Sequence, residues 1–226
     1  GAGPVYGFQP RGLDGAAIPH ATVRAAAASY LRALDEAFPA GPVHLLGHSF
    51  GGWVVFEMAA RLRRAGRPVA SLTLIDTRVP GSGGGEYDHR EAFLRLVALF
   101  EQAAERPFGI DDAALDALDE PGRLRLLHQR VVGAGLLPAR SDAGLLRGPF
   151  RGFASALRAT YTPDAPDPGP LRLVLVDDPA DPDRFEERVA GWRRWAPHLV
   201  PIRVPGNHMT ALKPPHVLIL ARTLTT

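Results

Sequence analysis

The chain has no cysteine among its 226 residues. This excludes a disulfide framework, a thiolate metal site and a cysteine nucleophile. Lysine is almost absent as well: Lys213 is the only one, and the other basic side chains are arginines, which stay protonated near neutral pH. An excess of one charge sign is also missing. Basic residues number 26 and acidic ones 24, and the two kinds are interleaved, as in Asp183, Arg184, Glu186, Glu187 and Arg188. A nucleic-acid-binding stripe is therefore not expected, and the isoelectric point near 9.4 reflects arginine usage rather than a cationic face. No apolar run approaches the roughly 18–20 residues of a membrane span, and no signal peptide opens the chain. No histidine pair shows metal-ligand spacing, so no metal is expected. These absences lead to the expectation of a monomeric, soluble, cytoplasmic domain with neither a membrane nor a nucleic-acid partner. The chain opens on Gly1 rather than methionine, which reads as a processed chain or an excised fragment.

What is present is an ordinary supply of core: 46% apolar and 22% charged residues. Short apolar runs alternate with longer helical patterns, which predicts βαβ units, a mainly parallel sheet and helices on both its faces. The predicted strands are Val5–Phe8, Val43–Leu46, Val69–Ile75, Leu171–Val176 and Val200–Val204. The predicted helices between them are Pro19–Phe38, Phe50–Ala65, Asp183–Trp195 and Pro214–Leu224. After Asp76 the pattern changes. Gly81-Ser82-Gly83-Gly84-Gly85 reads as a hinge, and the chain from there to about Thr162 shows helical periodicity only. Segments near Arg90–Glu105, Asp111–Leu118, Gly122–Gly133 and Phe150–Tyr161 carry it. The expectation is a helical lid inserted at about 81–165 in a single domain. Phe150, Phe153, Leu157 and Tyr161 form an apolar stripe there, mostly for packing, with some members as candidates for lining a substrate channel.

Gly47-His48-Ser49-Phe50-Gly51 fits G-x-S-x-G and lies between a predicted strand and a predicted helix. A serine on such a sharp turn favours glycine two residues either side, where side chains would collide. The hydroxyl is a weak nucleophile until a base takes its proton and an acid orients that base. In this architecture the partners follow in the order serine, acid, histidine, with the histidine after the last strand. Of the eight histidines, His208 occupies that place in Pro205-Gly206-Asn207-His208-Met209. His216 falls inside a helix, His198 precedes the last strand, and His48 would leave the elbow in another direction. His20, His44, His89 and His128 lie upstream of any suitable acid or inside the lid. For the acid, Asp76 ends the strand after the serine, and Asp177 and Asp178 end the next one. Pattern alone does not choose between them, since Asp177-Asp178 also reads as the entry turn of the following helix.

With these motifs the chain resembles the type I thioesterase domains that end nonribosomal peptide synthetases, and more distantly those of polyketide synthases. The matching segments are Val5-Tyr6-Gly7-Phe8-Gln9-Pro10-Arg11-Gly12-Leu13-Asp14-Gly15, Leu46-Gly47-His48-Ser49-Phe50-Gly51-Gly52, Leu74-Ile75-Asp76 and Pro205-Gly206-Asn207-His208. Gly133-Ala134-Gly135-Leu136-Leu137-Pro138 and Tyr161-Thr162-Pro163 are also similar. The resemblance implies an α/β-hydrolase fold, a Ser49, Asp76, His208 triad with Asp76 preferred as the acid, and the Phe50 N–H as one oxyanion donor. It implies a peptidyl or acyl substrate delivered as a phosphopantetheine thioester by a carrier domain, in the same megasynthase chain, with no cofactor of the domain's own. A stand-alone editing thioesterase, a carboxylesterase or a non-catalytic binding protein of the same fold would share most of these features. In one respect the chain departs from the family: an earlier strand, an oxyanion loop and a helix have no counterpart before Val5. The expectation is that roughly 20–30 residues of one βα unit precede this sequence in the natural domain.

Overall fold

A computed structural model describes residues 4–82, 84–177 and 184–225. Gly83 of the predicted hinge, and Asp178 with its turn residues Pro179, Asp181 and Pro182, lie outside the described residues. In chain order the elements are α1 (Val23–Ala37), β1 (Val43–His48), α2 (Phe50–Arg64), β2 (Val69–Ile75), α3 (His89–Ala104), α4 (Asp112–Asp116) and α5 (Glu120–Gly133). A 3-10 turn (Ala143–Leu146) leads into α6 (Arg147–Arg158), followed by β3 (Leu171–Val176), α7 (Arg184–Arg193), β4 (Leu199–Val204) and α8 (His216–Thr225). The chain divides into two compact units, Thr22–Glu86 with Arg158–Thr226, and Gly1–Ala21 with Tyr87–Leu157.

The first unit carries a sheet of four strands in the order β1-β2-β3-β4, parallel at every pairing. Its apolar residues alternate between two cores, as the two-residue period of a strand dictates. Leu72 and Leu74 of β2 and Leu171, Leu173 and Leu175 of β3 join the larger core with α1, α2 and α7. Ile75, Val174 and Val204 join the smaller one with Leu220 of α8. Helix α2 is buried from Gly52 through Ala59, Glu57 included, and it packs on β1 and β2. Helix α1 begins at Val23 rather than Pro19 because Thr22 is its N-cap, Oγ1 accepting from the Ala25 N–H at 3.1 Å.

The predicted strand Val5–Phe8 is absent. Residues 4–10 are irregular, with Val5 95% exposed. A short strand is stable only in a ladder, and this segment joins none. Among the described residues β1 is thus an edge strand, and its Leu46 is 54% exposed.

The second unit is helical. Its core gathers Phe93, Leu96 and Val97 of α3, Leu124 and Leu127 of α5, and Phe150 and Leu157 of α6. A capping box fixes the start of α3: the Asp88 carboxylate accepts from the Glu91 N–H and Glu91 accepts from the Asp88 N–H. Helix α6 ends at Arg158, three residues short of the predicted end. Tyr161 is therefore not on its stripe but belongs to the sheet unit, buried in the larger core with its hydroxyl donating to Glu57 at 2.9 Å. No helix among the described residues is long and apolar enough to cross a membrane.

Candidate active site

Ser49 is the single residue between the end of β1 and the start of α2, held at φ 56°, ψ −125°. A non-glycine residue pays strain in this region of backbone space, and such strain gathers at functional turns. Surrounding structure imposes it. The Ser49 N–H donates to the Ile75 carbonyl at 2.8 Å, extending the ladder one step past His48↔Ile75, while α2 begins immediately afterwards. Asp76, next along β2, also has a positive φ, 44°, and its N–H donates to the Val174 carbonyl at 2.7 Å. Serine and acid thus leave neighbouring strands at the same carboxyl edge of the sheet, where sites of open α/β folds form.

The glycine pattern has a different cause from the one expected. A Cβ on Gly47 would strike the Gly51 backbone, but one on Gly51 would meet nothing within 4 Å. The second obligatory glycine is Gly52, where a Cβ would overlap the Thr77 side chain, with Cγ2 at 2.7 Å and Cβ at 2.8 Å. That approach lets α2 pack on the segment following β2. Gly52→Ala is expected to destabilise the chain by about 1–3 kcal/mol in urea unfolding, as overpacking does. Adding Thr77→Ala should recover much of that loss, a coupling that a double-mutant cycle reads directly.

His208 follows β4 in a loop shaped by its own side chains. The Asn207 Oδ1 accepts from the N–H groups of Met209 and Thr210, both at 2.9 Å, and the Thr210 hydroxyl accepts from the Asn207 N–H at 2.9 Å. The His208 Nδ1 then lies 2.5 Å from Asp76 Oδ2. A carboxylate only accepts, so Nδ1 carries the hydrogen and Nε2 is left free as a base. Asp76 Oδ1 accepts from Arg188 Nη1 of α7 at 2.6 Å, with both side chains buried. Burial by itself raises the Asp76 carboxyl, but the His208 hydrogen bond and the Arg188 charge outweigh it and hold the group well below the usual carboxylate range. Asp177, the other candidate acid within the described residues, is exposed and pairs with Arg203 at 2.8 Å. No hydrogen bond joins the Ser49 hydroxyl to His208 among the described residues. The Phe50 N–H opens α2, one of the first-turn donors a helix leaves without an internal acceptor.

His48 does not turn away from this site as expected. Its ring lies 4.5 Å from the His208 ring, centroid to centroid. Its Nε2 is 2.9 Å from the His208 carbonyl, to which it donates when neutral. Burial, then the neighbouring His208, pushes its pKa down to about 4, against an opposing pull from its hydrogen bond and Asp76. Between that value and the ordinary 6.5, the unfolded chain binds a proton that the folded chain refuses. Stability that is full above about pH 6.5 is therefore lost as the pH falls toward 4, by up to about 2 kcal/mol at pH 5. Denaturant unfolding at pH 7 and pH 5 should show this slope, and His48→Gln should flatten it.

The four residues of the predicted apolar stripe fall in different units. Phe150 and Leu157 are in the core of the helical unit and Phe153 is half-buried against it, while Tyr161 is in the sheet unit. Phe150, Leu157 and Tyr161 are buried members of these cores. The residue that sequence reasoning missed is Arg188. It stands in the charge-interleaved run from Asp183 to Arg188, which weighs only against a nucleic-acid stripe. The signal was there in the spacing: Phe185, Arg188, Val189 and Trp192 recur at helical intervals on the buried face of α7.

The family model for the thioesterase domain matches residues 2–226. The chain belongs to the thioesterase domain family. It is 41% identical over 225 residues to the vanchrobactin synthetase VabF of Vibrio anguillarum, covering 99% of this chain and 7% of that protein. It is 31% identical over 182 residues to a dimodular nonribosomal peptide synthase of Bacillus subtilis, covering 73% of this chain and 7% of that one. The chain thus spans less than a tenth of the length of these curated relatives. Among solved structures, a four-domain nonribosomal peptide synthetase, holo-AB3403 with AMP and glycine, has a TM-score of 0.81 at 24% identity over 96% of this chain and 17% of that one. The NocB thioesterase domain in covalent complex with a fluorophosphonate nocardicin G analogue has a TM-score of 0.57 at 25% identity, covering 91% and 73%. The mixed α/β architecture with a parallel sheet is that of α/β-hydrolase thioesterases.

Proposed function

We propose that this chain is the off-loading thioesterase domain of a nonribosomal peptide synthetase and that Ser49, His208 and Asp76 form its catalytic triad. The observation that carries this reading is the Asp76–His208 hydrogen bond at the sheet edge where Ser49 sits on its strained turn. Extensive similarity to large peptide synthetases supports the substrate class: a peptidyl or acyl thioester on the phosphopantetheine of a carrier domain, the domain's partner in the same chain. Ser49 Oγ attacks the thioester carbonyl while its proton passes to His208 Nε2. The C–S bond breaks, and the leaving thiolate takes that proton. Asp76 holds the tautomer and stabilises the imidazolium, and the Phe50 N–H donates to the developing oxyanion. Water, or an amine or hydroxyl of the peptide itself, then attacks the Ser49 ester and releases a linear or cyclic product.

A peptidyl-pantetheine thioester and the matching ethyl ester, supplied side by side with product analysis by mass spectrometry, test this reading. Faster turnover of the thioester is expected. Turnover of the ethyl ester alone would instead assign a carboxylesterase, and turnover of neither a binding protein.

A further inference from the structure

Asp76 is held from both sides. Oδ2 faces His208 and Oδ1 faces Arg188, so rotation about the Cβ–Cγ bond breaks one bond or the other. The three residues come from three places in the chain: the end of β2, the loop after β4, and α7. Helix α7 is itself latched to the segment after β2 at several points. Trp192, one turn beyond Arg188, donates its indole N–H to the Thr77 carbonyl at 3.1 Å. A Cβ on Gly191 would come within 2.8 Å of the Val79 side chain, so glycine there permits close approach. Helix α7 is thereby fixed against that segment, and the Arg188 side chain it carries is buried.

We propose that Arg188 is a positioning residue for this site, acting through Asp76: it pins one carboxylate oxygen and offsets the carboxylate's charge, so that Asp76 orients His208 without keeping it protonated. The inference rests on the triad reading above. A lone carboxylate, 3% exposed, would favour the imidazolium strongly, and an imidazolium cannot accept the Ser49 proton. A guanidinium on the far oxygen reduces that field while leaving the hydrogen bond to Nδ1 intact. The charged groups facing Arg188 are Asp76, Arg184 on its own helix and Arg78 after β2. Those facing His208 are Asp76 and His48. Arg184 and Arg78 make no bond to Asp76 among the described residues, and Arg188 is the permanent cation bonded to it.

The test is the rate of Ser49 labelling by a fluorophosphonate as a function of pH, on wild type, Ser49→Ala, Arg188→Gln and Arg188→Lys, with peptide mapping of the labelled residue. In Arg188→Gln the acid limb is expected to move up by about one pH unit, with a roughly tenfold lower rate below the limb. Arg188→Lys keeps a cation beside Asp76, and its limb is expected to stay within about 0.3 of wild type. A limb that stays in place in Arg188→Gln, or one displaced in Arg188→Lys as far as an uncharged residue would displace it, overturns the proposal. Where Arg188→Gln does not fold, Arg188→Met, uncharged and of similar length, takes its place with the same expected displacement, and a limb that stays in place there overturns the proposal equally. A wild type that takes no label at Ser49 overturns the triad reading itself, and the role of Arg188 with it.

Discussion

Replacing Ser49 with alanine is expected to lower thioester turnover by about 10⁴–10⁶-fold while leaving the fold intact. The loss is large because the serine is the attacking atom, and no cysteine exists to take its place. The fold is spared for a structural reason. The strain at φ 56° is imposed by the ladder bond to Ile75 and the immediate start of α2, both backbone features that alanine retains. The Ser49 side chain caps nothing in α2 either. Unfolding free energy should therefore shift by no more than about 0.5 kcal/mol. Steady-state turnover and urea unfolding, measured on the same preparation, check the two halves together.

Asp76→Asn is expected to act on activity and stability at once. An asparagine amide can donate to His208 Nδ1, which moves the hydrogen to Nε2 and removes the base. A wrong tautomer of this kind costs about 10⁴-fold in turnover. The same change leaves the buried Arg188 guanidinium without its counter-charge. Removing one member of a buried pair typically destabilises by about 3 kcal/mol or more. For a domain of this size that is a fall in Tm of roughly 6–12 °C. Asp177→Asn, by contrast, removes an exposed pair with Arg203 and should change stability by less than about 1 kcal/mol. Turnover and thermal melts of the two variants side by side show which carboxylate belongs to the site.

Strands buried on both faces were legible in the sequence. Val69–Ile75 and Leu171–Val176 are near-continuous apolar runs, and both form strands with those bounds. Val5–Phe8 has the same local character and is not a strand, because a strand's stability lies in its neighbours and not in its own residues. Helix α3, expected near Arg90–Glu105, runs from His89 to Ala104, its start set by the Asp88–Glu91 capping box, which its apolar spacing does not report. The end of α6 was not legible, since the apolar spacing continues to Tyr161 although the helix stops at Arg158. At the site, the serine announces itself through short-range turn chemistry. The choice between Asp76 and Asp177 is a matter of which strand ends beside the His208 loop, and a one-dimensional pattern does not carry that. Arg188 was hidden for a related reason. Nothing in its charge marks its burial, and its partner lies 112 positions away.

The central claim is that Ser49 carries the acyl chain. Brief incubation of the chain with a peptidyl-pantetheine thioester, followed by acid quench and peptide mapping by mass spectrometry, tests it most directly. The account predicts a mass increase equal to the acyl group on the peptide containing Ser49, with release of one free thiol per acyl group, and neither in Ser49→Ala. Thiol release without any acyl adduct at Ser49 in the wild type, or an equal adduct in Ser49→Ala, would contradict it.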